Sequence, residues 1–265
     1  MKTNLLFRHW AGIVCLVCAV VFNVNASETE SAKLSAFKLP SVEGKTLASG
    51  GIANDSRIGA KKALKATAAA VNISGSVNAS TLANNSEVVL TGNTTIYMDV
   101  NKTLKSISGD YTLTLNGGNI LTLDNSGGYA INVESVSISA PVRVTSSYIA
   151  ISAQNGITIN ANVEANSTNT CIGTLHGDIT INANVTAITT SSAAILNKDG
   201  HIIINSGTTT ATGGTSGDWA WGIAATGRIT SAEGTTINAT GGTAIYSEQN
   251  YINFAGSVTA TAKGA

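Results

Sequence analysis

Two segments of the chain repeat one another: Asn155 to Ala165 reads NGITINANVEA, and Gly177 to Ala187 reads GDITINANVTA. Their shared core, ITINANV, starts at Ile157 and again at Ile179, 22 residues apart. A unit of ~20–29 residues is too short to bury an apolar face alone, so such units persist only when stacked on one another. The spacing therefore selects a solenoid over a domain built around one central core.

Other rungs can be laid over these two. Their first strands are Leu113-Thr114-Leu115, Val136-Ser137-Ile138, Ile157-Thr158-Ile159, Ile179-Thr180-Ile181, Ile202-Ile203-Ile204, Ile229-Thr230-Ser231 and Ile252-Asn253-Phe254, at spacings of 21 to 27 residues. Side chains alternate along a strand, so the outer members of each triplet point inward and the middle one faces solvent. A second strand follows: Leu121-Thr122-Leu123, Val142-Arg143-Val144, Val163-Glu164-Ala165, Val185-Thr186-Ala187, Thr208-Thr209-Thr210, Thr235-Thr236-Ile237 and Val258-Thr259-Ala260. A third pairs a small residue with Ile, as in Ala150-Ile151, Cys171-Ile172, Ala194-Ile195 and Gly222-Ile223. The pattern predicts an all-β, right-handed parallel β-helix with three short strands per rung of about 22 residues, stacked at ~4.8 Å.

Stacking makes columns, and each column carries an expectation. Asn160, Asn182 and Asn205, in the turn after the first strand, should bond amide to amide along the axis. Cys171 falls in the small-residue column and reads as core packing. Arg143 and Glu164 should meet on adjacent rungs as an exposed ion pair.

The ends of the chain read differently. Met1 to Ala26 has Lys2 and Arg8 ahead of an apolar run from Trp10 to Phe22, then Val24-Asn25-Ala26, which predicts a secretory leader cleaved after Ala26. A membrane anchor needs ~18 or more apolar residues, so no transmembrane segment is expected after cleavage. Residues 27–70 read as a flexible spacer whose Ala- and Lys-rich end, Arg57 to Val71, can form a short capping helix. The solenoid is assigned to residues 71–265. It stops after a second strand, SVTATAKGA, which predicts either continuation past Ala265 or an open edge for self-association.

Charged residues are only 11% of the chain, and losing Lys2 and Arg8 with the leader leaves acidic residues in slight excess. Nucleic-acid binding wants a clustered basic face, so it is not expected. With Cys15 and Cys18 also removed, Cys171 stands alone and no intrachain disulfide is expected.

Candidate ligand-binding residues lie on the variable positions. The residue just before each first strand reads Thr112, Ser135, Gly156, Asp178, His201, Arg228 and Tyr251. Asp178, His201, Arg228 and Tyr251 thus stack a carboxylate, an imidazole, a guanidinium and a phenol, which is either a ladder of polar turn residues or a site for a hydroxyl-rich sugar. Trp219 and Trp221 occupy the longest rung insertion, TSGDWAWG. Their indoles can stack on pyranose faces. They also share strand parity with the inward Ile223, so a strand regular back to Trp219 would pack both inside. His176, Asp178, Asp199 and His201 lie on neighbouring turns without a diagnostic metal-ligand spacing. No catalytic or metal-binding set is assigned.

The runs GDITINANV, GTTTATGG and INATGGTAIYSEQNYINFAGSVTATAKG resemble repeats of secreted bacterial right-handed β-helix proteins, in particular carbohydrate-binding, pectate-lyase-like and adhesin-like surface proteins of Bacteroidetes. The resemblance covers roughly Val71 to Ala265. It implies a secreted or cell-surface protein whose partner is a polysaccharide or a host or cell-surface glycan. Some such proteins hold calcium in acidic loops and others are lyases. This chain has few acidic residues per rung and lacks a crowded Lys/Arg/Asp groove, so no cofactor is expected. The expected function is a non-catalytic scaffold for adhesion or carbohydrate binding. A polysaccharide lyase or hydrolase, and a purely structural stalk, are the alternatives.

Overall fold

The computed structural model describes residues 70–263, apart from Asp218 and Asn250. The leader ending at Ala26 and the spacer with its capping helix fall outside the described residues. Those described form a parallel β-solenoid of about eight turns, roughly 22 residues each. Among them no helix is long and apolar enough to cross a membrane.

The first column stacks as its sequence dictates. Ile157, Ile179, Ile202, Ile229 and Ile252 pair in one register, as do Thr158, Thr180, Ile203, Thr230 and Asn253 beside them. The inward isoleucines from Ile157 to Ile204 are at most 1% exposed. Burying each such side chain stabilises the fold by ~1.5–3 kcal/mol, but only once the neighbouring rung is present. In the last described rung the equivalent Ile252 is 44% exposed. The third column also stacks as expected, Ile131 on Ile151, Ile172, Ile195, Ile223 and Ile245.

Three strands per rung give only two sheets. The first and third columns share one sheet of 14 strands, and the second column makes another of eight. They are joined because Glu87–Met98, Ser106–Gly117 and Ile131–Ser139 each run through both columns. From Ile151–Ala153 onward a turn separates the two columns.

The second column departs from its expected register in two rungs. Val185 pairs with Thr209, and Thr209 with Ile237, so Thr210 rather than Thr209 faces solvent, and Thr236 faces out as expected but Asn238 takes its place in the column. Gly207, at φ +81°, takes up the extra residue before the strand Thr208–Thr212. Thr209 therefore points inward and is fully buried, and its Oγ1 is the one buried side-chain polar atom without a hydrogen-bond partner among the described residues. Leaving a hydroxyl unpaired in an apolar column costs ~1–3 kcal/mol. Thr209→Val keeps the shape and removes the hydroxyl. It should stabilise the fold by about 1 kcal/mol, read as a higher denaturant midpoint at unchanged slope; an equal or lower midpoint would refute this account.

One end of the second column is closed locally. The 3-10 turn Ala79–Thr81 leads to buried Leu82. Beyond it Asn85 N–H donates to Thr103 O (2.9 Å), and Lys102 Nζ donates to Leu82 O (2.6 Å). These bonds occupy backbone groups that an open edge strand would present to solvent.

Candidate functional site

The turn between third and first strands holds Asp178, His201, Arg228 and Tyr251. Asp178, His201 and Arg228 each follow a glycine, and the reason is steric. A Cβ on Gly200 would lie 2.1 Å from Gly177 O, and one on Gly227 would lie 2.5 Å from Gly200 O. The turns stack so closely that only glycine fits, and each glycine delivers the next residue to the same edge.

A second set of residues holds these turns from inside. Asn197 is buried, and its Nδ2 donates to Gly177 O and His201 O (both 2.9 Å) while its Oδ1 accepts from Asp199 N–H (3.1 Å). Thr174 Oγ1 donates to His176 O (2.6 Å), and Ser247 Oγ to Gly227 O (2.9 Å). This buried polar column was not anticipated. Its signal was available, because Thr174, Asn197 and Ser247 each stand two residues after the third-column isoleucine.

The outer column is brought together as expected, and its members are joined mostly to backbone. Asp178 Oδ1 accepts from His201 N–H (2.8 Å), and His201 Nδ1 accepts from Arg228 N–H (2.9 Å). The Arg228 guanidinium carbon lies 5.8 Å from the Tyr251 ring centroid, a cation–π distance. An imidazole that accepts at Nδ1 carries its proton on Nε2. The Asp178 and His201 groups thus already serve as turn supports. Beside them a shallow, open groove of about 320 Å³ is lined by small polar residues, among them Thr112, Ser135, Asn155 and Asp178. His176 pairs with Asp199 instead (Nδ1 to Oδ2, 3.1 Å), and both are exposed.

The tryptophans lie elsewhere. The third strand of their rung, Trp221–Ala225, begins at Trp221, and Trp221 N–H donates to Trp219 O (2.9 Å) in a tight turn. That turn frees Trp219 from the strand parity that would have sent it inward, while Trp221 opens the strand opposite the exposed Thr243. Trp219 is 55% exposed and Trp221 half-buried. The two rings meet edge to face at 5.0 Å and 60°, and Trp221 stacks on Tyr246 at 5.0 Å and 9°. Tyr246 completes the cluster and was missed, although it occupies the solvent-facing position of the next third strand, opposite Ala224.

The structure thus gives two sets, not one. Trp219 sits in the turn before the third strand, Trp221 opens that strand and Arg228 sits in the turn after it, so ~15–20 Å of extended backbone separates the tryptophans from Arg228. The three expectations for the Asn turn column, the Arg143–Glu164 pair and Cys171 hold. Asn182 Nδ2 donates to Asn160 Oδ1 (2.7 Å), and Asn205 Nδ2 to Asn182 Oδ1 (2.9 Å). Arg143 and Glu164 pair at 3.1 Å, both exposed. Cys171 is fully buried with its Sγ donating to Ile188 O (2.8 Å), and burial pushes its thiol up to about 11, so it remains protonated and unreactive.

No protein-family model, no curated protein and no solved structure matches this chain.

Proposed function

We propose that this chain is an exported, non-catalytic β-helix displayed at or released from the cell surface, where it binds carbohydrate. The observation that carries this reading is the exposed Trp219, Trp221 and Tyr246 cluster. Exposed indoles tend to be covered by a ligand, and stacked aromatic rings present the flat apolar surface that a pyranose face matches. The leader at Met1 to Ala26 supports export. The resemblance to carbohydrate-binding and adhesin-like surface proteins of Bacteroidetes supports the ligand class.

The lyase or hydrolase reading has less to draw on. It needs a base placed to take a proton; His201 Nδ1 and Asp178 Oδ1 are each engaged with a backbone N–H, which leaves Asp178 Oδ2 as the one basic atom of this pair still open.

The test is a glycan-array screen with the mature chain, followed by titration of the strongest hit. Trp219→Ala should weaken that binding at least tenfold while leaving the circular dichroism spectrum unchanged. No binding on the array, together with no adhesion to cells, would refute the proposal. Product release from a polysaccharide panel, lost on His201→Ala, would replace it with the enzyme reading.

A further inference from the structure

The two turns that flank the third strand differ in chemistry. The turn after it carries His176, Asp178, Lys198, Asp199, Arg228 and Glu248. Among the described residues of the turn before it, from Asn125 to Ala130 through Gly213 to Gly222, there is no Lys, Arg, His, Asp or Glu. From Asn125 on, the solenoid therefore has one corner rich in charge and one poor in it, where the sequence places a single charged residue, Asp218, just before Trp219.

The charge-poor corner holds a second aromatic pair. Tyr129 and Tyr148 meet edge to face at 5.1 Å, and both remain well exposed, at 38% and 43%. They belong to the same edge as the tryptophans, because backbone bonds tie the corner rung to rung. Ala130 N–H donates to Ile149 O (3.1 Å), Asn169 N–H to Tyr148 O (3.1 Å) and Ala194 N–H to Trp221 O (3.0 Å). Tyr148 and Trp221 stand before the paired third-column residues Ile151 and Ile223, with those of Ile172 and Ile195 between, so three rung steps, ~14 Å, separate the two platforms along the axis.

The rungs between them present Thr168, Asn169, Thr190 and Ser191. Thr168, Thr190 and Ser191 are exposed, and their hydroxyls donate to backbone carbonyls of the corner, which leaves their lone pairs to accept. Asn169 spends its backbone groups on the rungs at either side, and its side-chain amide makes no hydrogen bond among the described residues.

We infer that the charge-poor corner is one extended site for an uncharged linear oligosaccharide lying along the solenoid axis, with the Tyr129–Tyr148 and Trp219–Trp221–Tyr246 clusters stacking on sugar rings at its two ends. The inference rests on the carbohydrate-binding reading and specifies it further. Aromatic faces supply stacking at each end, and amide and hydroxyl groups between them match sugar hydroxyls without asking for charge. A ligand that spans both platforms gains over one that reaches a single platform, because the second contact is intramolecular.

The experiment is calorimetric titration of the mature chain with linear neutral β-1,4-glucan, mannan and xylan oligosaccharides, from disaccharide to octasaccharide, and with oligogalacturonates as the charged series. At least one neutral series should gain ten-fold or more in affinity as the chain becomes long enough to bridge the platforms. The double variant Tyr129→Ala, Tyr148→Ala should abolish that gain and leave short oligosaccharides unaffected, whereas Trp219→Ala should weaken both. Tyr148→Phe keeps the ring and should keep the gain, which separates stacking from a folding defect.

Unchanged long-chain affinity in the double tyrosine variant would overturn the extended site and leave the tryptophan reading intact. Tighter binding of oligogalacturonates than of every neutral series would overturn the neutral class alone. No binding in any series, with none on the array, would remove both, and capture of a protein through the same residues would make the corner a protein interface.

Discussion

Gly200→Ala should destabilise the solenoid by at least about 3 kcal/mol, more than an exposed turn substitution ordinarily costs. The added Cβ would lie 2.1 Å from Gly177 O and 2.7 Å from Gly177 C, which are backbone atoms of the preceding turn. A flexible side chain would step aside; a hydrogen-bonded turn cannot without parting the rungs. Gly118→Ala is the control, since a Cβ there meets nothing within 4 Å. It should lie within ~0.5 kcal/mol of the parent chain. Denaturant unfolding of the two variants, compared at equal slope, checks the pair. If Gly200→Ala proved as mild as Gly118→Ala, the close stacking of the Gly177, Gly200 and Gly227 turns would be wrong.

The second large effect is expected in the first column. Ile181→Ala removes a fully buried side chain seated between Ile159 and Ile204 and should cost ~2–5 kcal/mol. Asn182→Ala, next in sequence but in the exposed amide ladder, should cost about 1 kcal/mol, since amide bonds in water exchange for bonds to solvent. Where the loss falls is as informative as its size. Each rung touches only its neighbours, so hydrogen exchange should show lost protection concentrated at Ile157–Ile159, Ile179–Ile181 and Ile202–Ile204. A uniform loss from Val71 to Ala262 would instead mean that the solenoid opens as a single cooperative unit.

The first and third columns were legible because their residues contrast: isoleucine alternating with threonine, or following a small residue, leaves one register. The second column slipped where that contrast vanishes. Thr208-Thr209-Thr210 offers three chemically equal candidates for the inward position, and only the stacking on Val185 decides among them. The Asn ladder and the Arg143–Glu164 pair followed from register alone. Trp219 did not, because parity counts only from the residue where a strand starts, and the bond from Trp221 N–H to Trp219 O puts that start after it. Tyr246 was hidden for a related reason. In AIYS it reads as part of an apolar third strand, and only pairing with Ala224 shows that it faces out. The glycines before Asp178, His201 and Arg228 were visible as letters, but their purpose depends on the distance between turns, which no single rung specifies.

The strict rung register between Tyr148 and Trp221 also bears on how such a chain can evolve. A tandem duplication of one 22-residue coding unit between the two platforms would add one matched pair of interfaces and leave every other rung in place. The fold would tolerate it, while the platforms would move apart by one fixed increment of ~4.8 Å. If the proposed oligosaccharide site is real, reach along the charge-poor corner is inherited in whole steps, and related chains differing by a repeat should differ in the shortest oligosaccharide gripped at both ends.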